Sequence, residues 1–324
     1  MIHTAESVAV GHPDKVCDQI ADAILDECLA TDPQTRSAVE VMGGHGKLFI
    51  VGELTTTAPI DEARMSEIAT RVYKDCGHTD PLDIHVTLVK QSPEIASGVD
   101  DDGAGDQGIM VGYATSETEK LIPLEVSLAR ALARAMGERD GKAQVTVEDG
   151  KVLSFLTSVC GEYTDEIEQA AQTAVAPHLK EGLQLEDVWT KNPNGPWSIG
   201  GFAADTGLTG RKIVVDAYGP KIPVGGGAFS GKDATKVDRS AAYMARKVAA
   251  DYVRKGAAEV TAYIAYAIGQ AEPVAAVVNV DGTDEPIVGY DLRPRAIIET
   301  LELRKPQFYE TARYGHFGNG YRWD

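Results

Sequence analysis

Cysteine is scarce, long apolar runs are missing and positive charge is in short supply, and each shortage removes a class of protein. Only 4 cysteines occur in 324 residues. Cys17, Cys28, Cys76 and Cys160 are scattered, with no Cys-x-x-Cys pair and no histidine cluster at zinc spacing. Neither a disulfide framework nor a structural zinc site is therefore expected. No stretch approaches the roughly 18 apolar residues that a membrane-spanning helix needs. The opening Met1-Ile2-His3-Thr4-Ala5-Glu6 lacks the basic region and apolar run of a signal peptide, so a soluble, cytoplasmic protein is expected. A Gly-x-Ser-x-Gly elbow is missing and no cysteine has obvious activating neighbours, which disfavours the common nucleophilic hydrolases.

Basic residues number 31 against 49 acidic ones, a net charge of −18. That balance argues against nucleic acid or a lipid surface as partner. The deficit is uneven. Residues 1–120 carry −14 and residues 121–204 carry −5, whereas 205–255 holds 10 basic and 5 acidic residues. One basic stretch in an acidic chain points to a local anion site.

The length is ample for a large core and two or three domains. Val16, Ile20, Ile24 and Cys28 recur every four residues between Pro13 and Asp32-Pro33, which predicts a helix from Pro13 to about Ala30. Extended segments 37–42 and 47–57 flank a glycine-rich turn, and 142–148 and 151–159 flank Asp149-Gly150; both read as hairpins. Helices are expected at 60–75, 123–136, 164–178, 235–255 and near 293–302, with further strands at 84–89, 109–114, 212–218, 258–268 and 273–280. Hairpin-then-helix recurs about three times. The expected fold is α+β: three similar α/β units, each with a mixed or antiparallel sheet packed against helices, in a pseudo-threefold arrangement. Approximate boundaries are 1–100, 101–204 and 205–324, with segments free to exchange between units.

Three motifs carry chemistry. Gly225-Gly226-Gly227-Ala228-Phe229-Ser230-Gly231-Lys232-Asp233 allows backbone amides close to phosphate oxygens, beside a lysine charge. Asp233 stands where a P-loop needs Ser or Thr, and Pro220 and Pro223 interrupt any preceding strand, so the loop is of another kind. A flexible surface loop is the plainer alternative, but Arg211-Lys212 before it and Lys236, Asp238 and Arg239 after it favour an anion site. Gly11-His12-Pro13-Asp14-Lys15 opens the first helix, where free amides and a partial positive charge suit phosphate, although Asp14 is equally a helix-dipole partner. Gly103-Ala104-Gly105-Asp106-Gln107-Gly108 matches Gly-x-Gly-x-x-Gly but leads into a strand, so it reads as a turn presenting Asp106.

Taken together and in this order, these motifs resemble the S-adenosylmethionine synthetase (methionine adenosyltransferase) family. Gly52-Glu53-Leu54-Thr55-Thr56, Lys90-Gln91-Ser92-Pro93, Asp205–Lys212, Lys236–Ser240 and Tyr314–Gly318 extend the resemblance over nearly the whole chain. It implies synthesis of S-adenosylmethionine from ATP and L-methionine, followed by hydrolysis of tripolyphosphate to phosphate and pyrophosphate. A neutral thioether needs no base, so positioning and electrostatics would carry the reaction.

The resemblance also assigns residues. His12, Lys142, Arg211, Lys212 and Lys232 would act on the triphosphate. Asp14 and Asp238 would hold two Mg2+ ions, and Glu40 a K+ ion. Glu53, Gln91, Asp106, Asp140, Trp197, Asp205, Ala228, Phe229 and Lys236 would contact ATP or methionine. A homodimer, or a dimer of dimers, would build the active site at its interface. Two departures stand out: Pro196-Trp197 replaces the family's Arg-Phe, and the gate segment 91–103 is short. A compact member is implied, and a catalytically silent regulatory subunit or a nucleotide or polyphosphate hydrolase are the competing readings.

Overall fold

A computed structural model describes residues 1–91 and 103–324, so all but the two ends of the short segment 91–103 lies outside the described residues. Among the described residues, twelve strands form three four-stranded sheets. The first contains β2 (Arg36–Gly44), β3 (Lys47–Thr55), β4 (Asp83–Val89) and the two-residue β9 (Gly207–Leu208), in the order β4-β3-β2-β9. The second runs β1 (Ile2–Val8), β6 (Gly141–Glu148), β7 (Lys151–Val159), β8 (Trp189–Lys191). The third runs β12 (Thr283–Pro286), β11 (Ala275–Val280), β10 (Glu259–Tyr266), β5 (Gly108–Thr115). Pairing is antiparallel throughout except β3 with β4 and β7 with β8.

Each sheet buries one face against helices, the α+β architecture that the pattern of elements predicts. Helices α1 (Pro13–Leu29) and α2 (Glu62–Asp75) cover the first sheet, with Val16, Ile20 and Ile24 meeting Val39, Val41 and Ile50. The every-fourth-residue stripe is the reason that face turns inward. Helix α3 (Leu124–Ala135) sets Leu128 and Leu132 against Val145 and Val147. Two short helices follow, α4 (Asp165–Ala170) and α5 (Leu185–Val188). On the third sheet, α7 (Val237–Arg254) places Val248 and Ala249 over Ala262 and Ile264. The short α8 (Pro294–Thr300) and α9 (Phe308–Tyr314) close the chain.

Two sequence expectations fail locally. The helix expected over 164–178 breaks into α4, a π turn (Ala171–Val175) and a 3-10 turn ending at His178. Pro177 lacks the amide that an unbroken helix requires there, and its ring opposes the preceding turn. The strand expected over 212–218 is instead a single helical turn, α6 (Ile213–Asp216). Its β-branched residues suggest a strand, but the buried Asp216 carboxylate is drawn in to Lys15 Nζ at 2.5 Å, and that contact decides the local backbone.

The sheets also trade strands around a cycle. β1 pairs with β6 in the second sheet, β5 with β10 in the third, and β9 with β2 in the first, each far from its own neighbours in sequence.

Candidate active site

The start of α1 supplies one wall. His12 is the N-cap, and its Nδ1 accepts the Asp14 amide at 3.2 Å. Burial first, then the nearby Lys212 and Lys142 ammonium groups, push its pKa down to about 3, so the ring is neutral. With Nδ1 accepting, the proton sits on Nε2, which leaves His12 a donor. Asp14 Oδ1 accepts the Leu208 amide at 3.0 Å, and Oδ2 pairs with Lys212 Nζ. Burial opposes the Asp14 carboxylate, but Lys212 and the Leu208 amide outweigh it and hold its pKa below the ordinary value. Arg211 Nε stands 3.5 Å from Asp14 Oδ1. Lys142 reaches this wall through sheet register: it pairs with Val8, and Gly11 donates to the Arg139 carbonyl at 3.2 Å.

The glycine loop supplies the second wall. Gly227 has no room for a side chain, since a Cβ there would lie 2.2 Å from the Asp238 carboxyl carbon. Lys232 Nζ pairs with Asp238 Oδ2 at 2.7 Å, and Lys236 Nζ with Asp233 Oδ1 at 2.6 Å. A Cβ on Gly210 would fall 2.6 Å from the Ala228 Cβ, so the basic arm 207–212 and the glycine loop touch. Phe229 is core: its ring packs edge-on against His316 with centroids 4.8 Å apart, so only its backbone is open to a ligand. The loop carrying Asp106 abuts this wall, because Gly108 faces Asp238 Oδ1. Asp106 itself is exposed and accepts the Gln107 amide.

The remaining candidates lie further out. Asp140 is buried and accepts the Gly201 amide at 2.9 Å; burial raises its pKa. Trp197 is half-buried, pairs its backbone with Cys160, and keeps an indole nitrogen with no partner among the described residues. Asp205 is exposed and accepts the Thr206 amide. Gln91 donates its backbone amide to Thr55 Oγ1 at 3.0 Å, and its side-chain Oε1 has no partner among the described residues. Glu40 and Glu53 occupy the outer face of the first sheet, with exposed Met42, Val51 and Val89 around them. Burial, and the neighbouring Glu53, raise the Glu40 pKa against the pull of Lys232.

Several buried groups behind the walls gave no signal that was read as functional: Lys15, Asp18, Asp22 and Asp216. The available sign was a second every-fourth-residue series, Asp14, Asp18, Asp22 and Asp26, opposite in character to the apolar stripe.

Basic side chains and amides on two touching segments, with carboxylates interleaved, make an arrangement suited to binding an anion. Sequence comparison is in accord. Models of the N-terminal, central and C-terminal domains of S-adenosylmethionine synthetase match residues 1–98, 101–181 and 199–324. The chain belongs to that family, whose members are metal-dependent. It is similar to the S-adenosylmethionine synthase of Sulfurovum sp., 44% identical over 100% of this chain and 95% of the relative. It is also similar to S-adenosylmethionine synthase 2 of Rhodospirillum rubrum, 41% identical over 100% and 95%. The S-adenosylmethionine synthase of Thermus thermophilus is 41% identical over 99% and 95%. The Sulfurovum alignment spans 372 positions against 324 residues here, consistent with a compact member. Among the described residues no helix is long and apolar enough to cross a membrane.

Proposed function

We propose that this chain makes S-adenosylmethionine from ATP and L-methionine. The methionine sulfur attacks the ribose C5′, the S–C5′ bond forms as C5′–O5′ breaks, and the electron pair leaves with tripolyphosphate. Water then splits tripolyphosphate into phosphate and pyrophosphate. The observation that carries this reading is the meeting of the two walls. His12, Asp14, Arg211 and Lys212 stand on one side, with Lys232 and Asp238 beside Ala228 on the other. His12 offers a neutral Nε2–H to the departing oxygen. Arg211, Lys212 and Lys232 exchange their carboxylate partners for phosphate oxygens, Lys142 adds its charge to the same channel, and Ala228 and Phe229 present loop backbone.

The released carboxylates, Asp14 and Asp238, would each hold a Mg2+ ion. Among the described residues no cluster of three or more His, Cys, Asp or Glu forms a ready-made cage. That suits magnesium, which takes one or two carboxylates and completes its shell with phosphate and water. When bound, the metal supplies charge that offsets the developing polyanion. Glu40 is the corresponding candidate for K+; a lone carboxylate needs further ligands. We assign Glu53, Gln91, Asp205 and Lys236 to methionine, and Asp106, Asp140 and Trp197 to the nucleoside. The exposed apolar residues around Glu40 and Glu53 support a second copy docking there, so a homodimer, or a pair of them, completes each site. The four free cysteines, three of them buried, fit a reducing cytoplasm.

The test is to supply ATP, methionine, Mg2+ and K+ and to measure S-adenosylmethionine, phosphate and pyrophosphate together. All three products are expected. Phosphate without S-adenosylmethionine would identify a hydrolase, and a folded but inert protein a silent subunit.

A further inference from the structure

Helix α1 carries Asp14, Asp18, Asp22 and Asp26 at four-residue intervals, all on one side. Each accepts backbone amides from a distant segment. Asp14 holds Leu208 N at 3.0 Å, Asp18 holds Gly210 N at 2.8 Å, and Asp22 holds Gly231 N at 2.9 Å. Asp26 holds the amides of residues 307, 308 and 309. Four residues of helix rise about 6 Å, so successive anchors are spaced by a rigid rule. The basic arm and the glycine loop are thus tied to consecutive rungs of one helix.

Asp18 is the rung nearest the chemistry without belonging to it. It grips both ends of the segment that presents Arg211 and Lys212. One carboxylate oxygen takes the Gly210 amide directly. The other meets Lys15 Nζ at 3.1 Å, and the same ammonium reaches Asp216 Oδ2 at 2.5 Å. Lys15, Asp18 and Asp216 are 0%, 2% and 5% exposed, so no ligand touches them. Asp22 does the same for the loop: it forms a two-pronged pair with Arg239 at 2.6 and 2.8 Å, and Arg239 returns a bond to the Lys232 carbonyl at 3.0 Å. Replacing a buried ion cluster by well-packed apolar groups is often neutral or stabilising, so the role assigned to these clusters is to fix one geometry rather than to add stability.

We propose that Asp18 and Asp22 are positioning residues for adenosyl transfer, setting through the α1 face where Arg211, Lys212 and Lys232 stand. This rests on the proposed function and extends it to residues that never meet substrate. Asp18→Asn preserves size and one acceptor while breaking the Lys15 bridge.

Among molecules shown to be folded by circular dichroism, Asp18→Asn should lower kcat on the order of 10- to 100-fold, as misplaced catalytic groups do. KM for methionine should stay within about twofold, because Asp18 acts on the phosphate side. Since Asp18 works through Lys212, Asp18→Asn combined with Lys212→Ala should cost little more than Lys212→Ala alone. Asp216→Asn, read the same way, serves if Asp18→Asn does not fold. Unchanged kcat in the folded variant, or full additivity in the double variant, overturns the proposal. Calorimetric binding of inorganic tripolyphosphate with Mg2+ separates this from failure of the function itself. Even with no turnover in the parent chain, Asp18→Asn should weaken binding at least fivefold, and equal affinity overturns the positioning role.

Discussion

Gly231→Ala probes how the glycine loop is held. Gly231 has φ of +83°, a left-handed conformation that costs a side-chain-bearing residue roughly 1–2 kcal/mol. The new Cβ would lie 1.9 Å from the Val39 carbonyl oxygen, a backbone atom of β2 that cannot swing aside. The loop has to retreat by more than about 1 Å to restore van der Waals contact. Retreat weakens three hydrogen bonds: Gly231 N to Asp22 at 2.9 Å, Val39 N to Gly231 O at 3.1 Å, and Ser37 Oγ to Gly231 O at 2.8 Å. One has a charged acceptor, worth about 1.5–3 kcal/mol, and two are neutral at about 0.5–1.5 each. Partial loss plus the conformational term gives about 4 kcal/mol. For 324 residues the unfolding entropy is about 0.7 kcal/mol/K, so Tm should fall by about 6 °C. Lys232 is the next residue and moves with the loop, so kcat should drop on the order of 100-fold. Thermal denaturation and initial rates, the latter taken at least 15 °C below the variant's Tm, check both. A variant with parental Tm and parental rate would refute this account of the loop.

Three further outcomes follow from the same contacts. Lys232→Ala and Asp238→Asn each break a partly exposed pair, so turnover should fall on the order of 100-fold or more while thermal stability changes little; parental turnover in either removes that residue from the site. Burial pushes the Asp26 carboxyl up to about 6, against three backbone amides. The folded state therefore binds that proton more readily than the unfolded state, and the resulting stabilisation is full below about pH 4 and lost as pH rises through about 6. Urea titrations of Asp26→Asn and parent should show the parent's relative stability falling by up to about 3 kcal/mol across that window, and a rise with pH would contradict it. The cyclic exchange of β1, β5 and β9 ties the three sheets together, so calorimetry should record one unfolding transition; well-separated transitions would oppose the interlock.

Most elements could be read from periodicity because their signals are local. The α1 stripe, both hairpins and the β-branched strands each sit within a window of about 20 residues. β1 went unread because Ile2–Val8 becomes a strand only through β6, more than 130 residues away. β9 is two residues long and exists only as a partner of Met42 and Gly43. α6 misled for the same reason, since its backbone answers to Lys15 rather than to its own β-branched residues. Motif residues such as His12, Lys212 and Lys232 were visible because glycines and basic residues are conspicuous in an acidic chain. Their supports were hidden, because an aspartate at every fourth position on a helix ordinarily means a solvated face.

That ordinary inference is where the charge of this protein misleads. The −18 suggests a surface dressed for solubility, yet every residue from Pro13 to Leu25 is buried, acidic face included. Asp18 and Asp22 spend their charge inward, on amides and on Lys15 and Arg239. Asp14 and Asp238 hold Lys212 and Lys232. A polyphosphate site needs cations close together, and cations close together repel. Here Lys212 and Lys232 are each held by a carboxylate, and under the proposed function the carboxylates that phosphate frees would take up the cations it brings. The acidic residues of α1 and the basic stretch at 205–255 are thus joined by direct contacts, and the proposed function makes them two halves of one arrangement built before substrate binds.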